Sequence, residues 1–204
     1  MSDPASAQGR AMKRKALFLD RDGVINKDFG YVYEVERLEY VDGIFELCRK
    51  AKSKGYLIIV ITNQAGIGRG YYSEQQFLDF MDIIKAKFIE EDCQIDAVYY
   101  CPHHPEFAKG KYLTSCNCRK PNPGMFITCI NSMNVDPDKS IAIGDKLSDI
   151  QAAKMAHIKF CYQLQPKDSS FSYSDYSVIS NLIEAIQLIE DLGNKIAQCL
   201  TLKT

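Results

Sequence analysis

Residues 15–24 read KALFLDRDGV, a short apolar run that ends in two aspartates, Asp20 and Asp22, placed two positions apart. A run of this length, closed by polar residues, is typical of a buried strand. Three further runs end in the same way, at residues 56–61 before Thr62-Asn63-Gln64, 97–100 before Cys101, and 140–143 before Gly144-Asp145-Lys146. The chain is therefore expected to repeat one unit, a buried strand whose end carries reactive side chains.

Helical patterns separate these runs. The clearest follows Ser73 and Gln76, which match a capping box, and its apolar residues recur at helical spacing at Phe77, Phe80, Met81, Ile84 and Phe88. Strand and helix alternate from Ala16 to Leu192, which predicts an α/β fold: a doubly wound parallel sheet with helices on both faces. Ligands bind outside the carboxyl ends of the strands in such sheets, so we expect all four polar motifs at one edge.

The composition is that of a globular chain, with 204 residues, 46% hydrophobic and 25% charged. We expect a single domain over residues 15–204, and a disordered leader or expression remnant over residues 1–14. The net charge of −1 offers no field for polyanions, so no nucleic-acid partner is expected. The sequence shows no signal peptide and no apolar run of ~20 residues, so we predict a cytoplasmic protein with no membrane partner. We further expect a monomer that acts on a small molecule.

Carboxylates at the strand ends indicate a metal-assisted reaction. In an extended strand, Asp20 and Asp22 point to the same side, and like charges so placed need a cation or a shared proton. Taken alone, Asp-x-Asp-Gly could equally be an Asx-type turn. Asp145 and Asp149 add carboxylates near another strand end, a set of hard oxygen ligands that suits Mg²⁺ and phosphoryl chemistry. Hydroxyl and cationic groups for the phosphoryl oxygens are available from Thr62, Arg119 and Lys120.

A second metal site is predicted in the polar, proline-bearing segment after the third strand. Three of the eight cysteines and a histidine form a C-x-H-x₁₂-C-x-C array of Cys101, His103, Cys116 and Cys118. Three thiolates and one imidazole are the ligands of a closed, structural Zn²⁺ site. Spacing alone leaves His104 open as an alternative to His103. Free or oxidised thiols are the competing interpretation, although a disulfide between Cys116 and Cys118 would be strained.

The motifs FLDRDGV at 18–24, VITN at 60–63, Lys120 and GDKLSD at 144–149 occur in the order that resembles the haloacid-dehalogenase (HAD) superfamily of phosphotransferases. The resemblance implies that Asp20 is the nucleophile and Asp22 the general acid and base. It implies that Asp20, Asp145 and the backbone carbonyl of Asp22 bind Mg²⁺, with Asp149 acting through water. It further implies that Thr62 and Lys120 stabilise the transferring phosphoryl group.

Further stretches are similar to the heptose-bisphosphate phosphatases of that superfamily, a zinc-bearing branch without a separate cap domain: residues 28–31, 62–70, 99–105, 118–121 and 144–146. This resemblance favours His103 as the zinc ligand. It implies a substrate-binding set of Asp28, Gly30, Tyr31, Asn63, Gln64, Arg119 and Lys146. The implied product serves lipopolysaccharide, capsule or S-layer synthesis. Histidinol-phosphate phosphatase, which shares the aspartate pair and the zinc loop, is the alternative enzyme, and a catalytically silent, zinc-ordered binding module is the alternative from another class.

Overall fold

The computed structural model describes residues 12–165 and 176–201, with side chains as far as residue 191. Most of the leader predicted over residues 1–14 lies outside these ranges. At their beginning, the backbone N–H of Arg14 donates to Asn134 O at 2.9 Å, and Asp136 N–H donates to Arg14 O at 2.7 Å. The chain thus joins the fold just before the first strand.

A six-stranded sheet with the order β3-β2-β1-β4-β5-β6 forms the centre of the molecule. Every neighbouring pair is parallel. The strands are β1 (Lys15–Leu19), β2 (Tyr56–Asn63), β3 (Ala97–Cys101), β4 (Ile141–Gly144), β5 (Phe160–Leu164) and β6 (Ser177–Ile179). The doubly wound parallel sheet predicted from the sequence is confirmed.

Helices cover both faces because alternate strand residues are buried on opposite sides of the sheet. On one face, Leu17 and Leu19 pack with α1 (Ile44–Ser53), α3 (Glu74–Glu90) and α6 (Leu182–Thr201). On the other, Ala16 and Phe18 pack with α4 (Gly124–Met133) and α5 (Leu147–Met155). The short α2 (Ala65–Arg69) follows β2 directly. None of the helices in the described ranges has the length and apolar character that crossing a bilayer requires.

The chain order reverses at β1, which lies between β2 and β4. This is the point where the loops leaving adjacent strands diverge and open a crevice for a ligand. The backbone continues the pairing one step past β1, since Asp20 N–H donates to Ile143 O at 3.1 Å. Residues that follow β1, β2 and β4 are thereby brought to one crevice.

Candidate active site

The carboxyl ends of β1 and β2 open into a groove of about 560 Å³. Its walls include every residue predicted to act in catalysis or to touch substrate: Asp20, Asp22, Asp28, Gly30, Tyr31, Thr62, Asn63, Gln64, Arg119, Lys120 and Lys146. Asp149 also lines the groove. Asp145 does not; it lies beside Asp20 and borders a neighbouring cavity of about 540 Å³.

Lys120 is the buried cation of the site. Its Nζ donates to Ile61 O at 2.7 Å and lies 3.0 Å from Asp20 Oδ1 and 2.7 Å from Asp149 Oδ1. Burial favours the neutral amine, but the two carboxylates outweigh it and hold the pKa of Lys120 above its ordinary value. Burial raises the pKa of Asp20, while Lys120 opposes that change. The lysine therefore stays charged between two carboxylates.

Asp20, Asp145 and Asp149 each place a carboxylate oxygen within 4.8 Å of the others. Asp145 Oδ1 is buried and has no hydrogen-bond partner among the residues described. Burial, with the neighbouring charge of Asp20, raises the pKa of Asp145 to about 7. A buried carboxylate oxygen without a partner, next to two further carboxylates, is the donor chemistry of a hard divalent cation such as Mg²⁺. The residues present thus fit a magnesium ion at this position.

Two glycines make room for these carboxylates. At Gly23, φ is +90°, and a Cβ there would lie 2.5 Å from Asp145 Oδ2. At Gly144, a Cβ would collide with the side chain of Asp149. Both oxygens of Asp149 are occupied within the protein, one by Lys120 and the other by the Lys146 N–H at 2.9 Å. Asp149 therefore holds the Lys120 side chain with one oxygen and the Lys146 backbone with the other.

Three side chains donate hydrogen bonds to the Asp22 carboxylate. Arg21 Nη2 lies 2.7 Å from each carboxylate oxygen. Asn26 Nδ2 donates to Oδ1 at 3.0 Å and Gln64 Nε2 to Oδ2 at 3.1 Å. Gln64 Nε2 also donates to Thr62 Oγ1 at 2.9 Å, and its amide oxygen accepts from Tyr72 Oη at 2.6 Å. The orientation of Asp22 is consequently fixed from several sides.

The neighbouring Asn63 holds the backbone of the buried lysine. Its Nδ2 donates to Lys120 O, and its Oδ1 accepts from Lys120 N–H, both at 3.0 Å. The amide groups of Asn63 and Gln64, which sequence reasoning placed against substrate, are thus engaged within the protein. Both residues line the groove, but their described polar contacts position other site residues.

One wall of the groove is the loop after β1. Asp28 accepts from Gly30 N–H at 2.9 Å and from Lys146 Nζ at 3.1 Å. Burial acts against ionisation of Asp28, yet these two donors prevail and its pKa is lowered. The side chain of Tyr31 is 41% exposed and meets Tyr71 edge-on, with the ring centroids 4.7 Å apart. The loop therefore presents the Tyr31 ring and the Asp28 carboxylate to the groove, and the carboxylate is paired with Lys146 from the segment after β4.

The predicted zinc ligands converge. Cys101, His103, Cys116 and Cys118 offer ligand atoms that all lie within 4.8 Å of one another. Cys118 Sγ is 3.1 Å from both other sulfurs and 3.3 Å from His103 Nδ1. His104 is directed elsewhere, because its Nδ1 accepts from the backbone N–H groups of Glu106 and Phe107. The arrangement is compatible with a tetrahedral metal site built from His103.

This cluster also holds Arg119. The Arg119 N–H donates to Cys116 Sγ at 3.4 Å, and its Nη1 donates to His103 O at 3.3 Å. A metal bound by the four side chains would therefore fix the backbone and the side chain of a cation that lines the groove. The cysteine cluster and the groove are one connected structure.

Sequence reasoning missed three residues of the site: Arg21, Arg69 and Tyr72. Arg69 and Tyr72 line the groove, and the Arg69 guanidinium lies 4.8 Å from the centre of the Phe107 ring. Gly66 packs directly against the Tyr72 ring, so a side chain at Gly66 would collide with it. The glycines around Arg69 were the available signal, since they permit such close approach of the backbone.

Comparisons with known proteins show which family this chain resembles. Residues 117–167 match the HAD-hydrolase-like family model. A D-glycero-alpha-D-manno-heptose-1,7-bisphosphate 7-phosphatase from Burkholderia mallei is 51% identical over 159 residues, which span 78% of this chain and 84% of the relative. A D-glycero-beta-D-manno-heptose-1,7-bisphosphate 7-phosphatase from Pasteurella multocida is 46% identical over 146 residues, or 72% and 79% of the two chains.

A solved structure extends the comparison to three dimensions. The crystal structure of D,D-heptose 1,7-bisphosphate phosphatase from B. bronchiseptica, complexed with magnesium and phosphate, matches with a TM-score of 0.75 at 26% identity. The match covers 87% of this chain and 99% of that one. The likeness therefore includes nearly the whole of the described fold.

Proposed function

The chain belongs to the HAD-like family of D-glycero-D-manno-heptose-1,7-bisphosphate 7-phosphatases, and on that premise we propose that it hydrolyses the C7 phosphate of such a heptose bisphosphate. It is a phosphoric monoester hydrolase. The product, heptose 1-phosphate, would be available for nucleotide activation and for lipopolysaccharide, capsule or S-layer synthesis. The observation that carries the proposal is the buried Asp20–Lys120–Asp149 cluster beside Asp22, at the base of a groove suited to a small ligand.

The reaction has two steps. In the first, a carboxylate oxygen of Asp20 attacks phosphorus, the bond from phosphorus to the sugar oxygen breaks, and Asp22 gives its proton to that oxygen. In the second, water attacks the aspartyl-phosphate and gives a proton to Asp22, which releases phosphate and restores Asp20. The Thr62 hydroxyl and the Lys120 ammonium would stabilise the negative oxygens of the transferring group.

Magnesium would be held by carboxylate oxygens of Asp20 and Asp145 and by the backbone carbonyl of Asp22, with Asp149 acting through water. When bound, Mg²⁺ would screen the charge between the phosphate and the attacking carboxylate. Gly23 supports this assignment because it leaves Asp145 the space to face Asp20.

Substrate recognition is assigned to the groove walls. Asp28, Gly30 and Tyr31 would contact the sugar hydroxyls from one wall, while Arg119 and Lys146 would supply cations for its phosphate groups. We assign the cysteine cluster to Zn²⁺ because three thiolates and an imidazole leave no open position for a reactive water. Its role is to hold Arg119 toward the groove.

The decisive experiment measures phosphate release with Mg²⁺ from the α- and β-anomers of heptose 1,7-bisphosphate beside histidinol phosphate. The ratio of kcat/KM values measures discrimination in the transition state. A strong preference for one heptose anomer is expected, and the two relatives described above are named for different anomers. The anomer that is preferred would assign the pathway branch. A preference for histidinol phosphate would replace this proposal with that activity, and no turnover at all would support a binding module.

Two properties stay predictions from the sequence: a cytoplasmic location and a monomeric state. Size-exclusion chromatography with light scattering measures the second directly, and a dimer would contradict it.

A further inference from the structure

Arg21 lies between the two functional aspartates and is fully buried, with 0% of its surface exposed. Its guanidinium carbon lies 5.7 Å from the centre of the Phe77 ring and 5.3 Å from that of Phe80. Arginine is rarely buried to this extent unless its charge is paired. Packing alone therefore does not explain why a charged arginine is buried at this position.

The contacts of Arg21 are concentrated on one nitrogen. Nη2 lies 2.7 Å from Asp22 Oδ1, from Asp22 Oδ2 and from the backbone oxygen of Val32. Within the described part of the chain, Nε and Nη1 have no hydrogen-bond partner. Buried donors without a partner each destabilise a fold by about 1–3 kcal/mol. An apolar side chain of similar length would avoid that cost, so stability alone does not account for an arginine here.

The carboxylate that Arg21 contacts gains charge during the reaction. When Asp22 gives its proton to the leaving oxygen, a full negative charge forms on its carboxylate, and this charge stays until water returns a proton. Asn26 and Gln64 donate neutral hydrogen bonds to the same oxygens, whereas Arg21 brings a positive charge. A fixed cation at the place where negative charge develops lowers the barrier to the proton transfer.

Arg21 also ties the acid to the substrate loop. Val32 is buried and follows directly on the wall formed by residues 28–31. A single guanidinium nitrogen thus links the Asp22 carboxylate to the end of that wall.

We propose that Arg21 is a positioning residue that acts through Asp22: its buried guanidinium orients the Asp22 carboxylate and stabilises the charge formed there when the proton passes to the leaving group. This inference rests on the role of Asp22 in the proposed function. It assigns Arg21 no contact with substrate.

The test uses two substrates of nearly the same shape and without a sugar, phenyl phosphate and p-nitrophenyl phosphate. Phenoxide is as basic as the tyrosine side chain, with a pKa of about 10, and needs a proton in order to leave, whereas p-nitrophenoxide is a much weaker base. The quantity measured is the kcat/KM for p-nitrophenyl phosphate divided by that for phenyl phosphate. For these substrates kcat/KM reports the transfer of phosphate to Asp20 and not the later hydrolysis.

In Arg21→Met this ratio should rise by at least about tenfold, since a good general acid contributes about 10²–10⁴-fold to the rate. Arg49→Met is the matched control: Arg49 lies on the surface of α1 and pairs with Glu91, so its ratio should equal that of the unaltered protein. Arg21→Lys retains a cation beside Asp22 and should keep the ratio near the unaltered value. Equal losses on both substrates, or no change, in a folded Arg21→Met protein would overturn the proposal.

A substitute variant and a double variant complete the test. If Arg21→Met does not fold, as judged by its melting temperature, Arg21→Gln takes its place with the same expectation. In an Asp22→Asn background, Arg21→Met should cause no further rise in the ratio, because the arginine acts through the group already removed. A further rise there overturns the proposal. Failure of the unaltered enzyme on heptose bisphosphate would contradict its proposed substrate and leave this test intact.

Discussion

The ammonium group of Lys120 lies 3.0 Å from Asp20 Oδ1, which joins a loop from the middle of the chain to the end of the first strand. The same group lies 2.7 Å from Asp149 Oδ1 at the start of α5. Three separate segments of the chain are therefore held together by one buried charge. Since both carboxylates depend on it, this lysine serves the stability of the site as well as its proposed chemistry.

Lys120→Met should leave two buried carboxylates without their cation. We expect the free energy of unfolding to fall by about 3–5 kcal/mol, the usual effect of removing one partner of a buried ion pair. The kcat/KM should fall by about 10²–10³-fold. Urea denaturation and phosphate release measure the two effects. Lys139→Met, which removes an exposed lysine paired with Asp136, should change neither quantity; an equally stable Lys120→Met protein would contradict the assignment.

Asp20→Asn should abolish turnover and spare the fold. The amide has the same shape, and its oxygen can still accept the Arg21 N–H that Asp20 Oδ1 accepts at 2.8 Å. Burial raises the pKa of Asp20, so the loss of a buried charge should not lower the melting temperature. Phosphate release should fall by at least about 10³-fold. An Asp20→Asn protein with full activity would rule out the covalent mechanism.

Gly23→Ala should weaken magnesium binding. A Cβ at this position would lie 2.5 Å from Asp145 Oδ2 and would push that carboxylate away from Asp20. Gly55→Ala is the control, because Gly55 has a similar positive φ of +80° but its nearest neighbour, Lys15 Cε, is 4.0 Å away. Both variants should lose about 1–2 kcal/mol of stability to backbone strain. Only Gly23→Ala should need more Mg²⁺ for half-maximal activity, and equal requirements would refute the prediction.

The stability of the metal-free protein should depend on pH through Asp145. Its pKa is raised to about 7 in the folded protein, so between pH ~4 and pH 7 the folded state holds a proton that the unfolded chain has lost. Stability from this group therefore increases as pH falls through 7. Mg²⁺ requires the carboxylate, so it should raise the melting temperature strongly near pH 8 and little near pH 5. The same increase at both pH values would count against Asp145 as a ligand.

Metal analysis of the purified protein should find about one equivalent of zinc. Removing it with a chelator, or by Cys118→Ser, should raise KM more than it lowers kcat, because the cluster holds Arg119 through its N–H and its guanidinium. Cys129→Ser alters a buried cysteine outside the cluster and should retain the zinc. A folded, fully active protein without zinc would disprove the structural role.

Much of the fold could be predicted because four of the six strands are short apolar runs closed by polar residues. The position of β1 between β2 and β4 then follows from the rules for alternating strands and helices, and it collects Asp20, Thr62 and Asp145 at one edge. The spacing of three cysteines and a histidine likewise distinguished Cys101, His103, Cys116 and Cys118 from the remaining cysteines, and these four side chains do converge. In these cases the spacing of residues along the chain was enough to predict which side chains come together.

The direction of polar side chains could not be predicted in this way. Asn63 and Gln64 were expected to face substrate, but the sequence does not show that their amide groups hold Lys120, Asp22 and Thr62. Arg21 gave no signal either, since an arginine in a turn is ordinarily exposed. Its burial depends on the rings of Phe77 and Phe80, which come from a distant helix. Such contacts are set by packing in three dimensions.

The groups assigned to phosphate transfer and those assigned to sugar recognition lie on different parts of the fold, which affects how the enzyme can evolve. The groups assigned to phosphate transfer sit on the buried framework, whereas those assigned to the sugar sit on the wall at residues 28–31 and beside the cysteine cluster. A new leaving group could therefore be accommodated by exchanging these exposed segments while the reaction centre is inherited unchanged. In an evolving lineage, selectivity and rate could then be selected largely apart, except where the Val32 carbonyl contacts Arg21 and so couples the wall to Asp22.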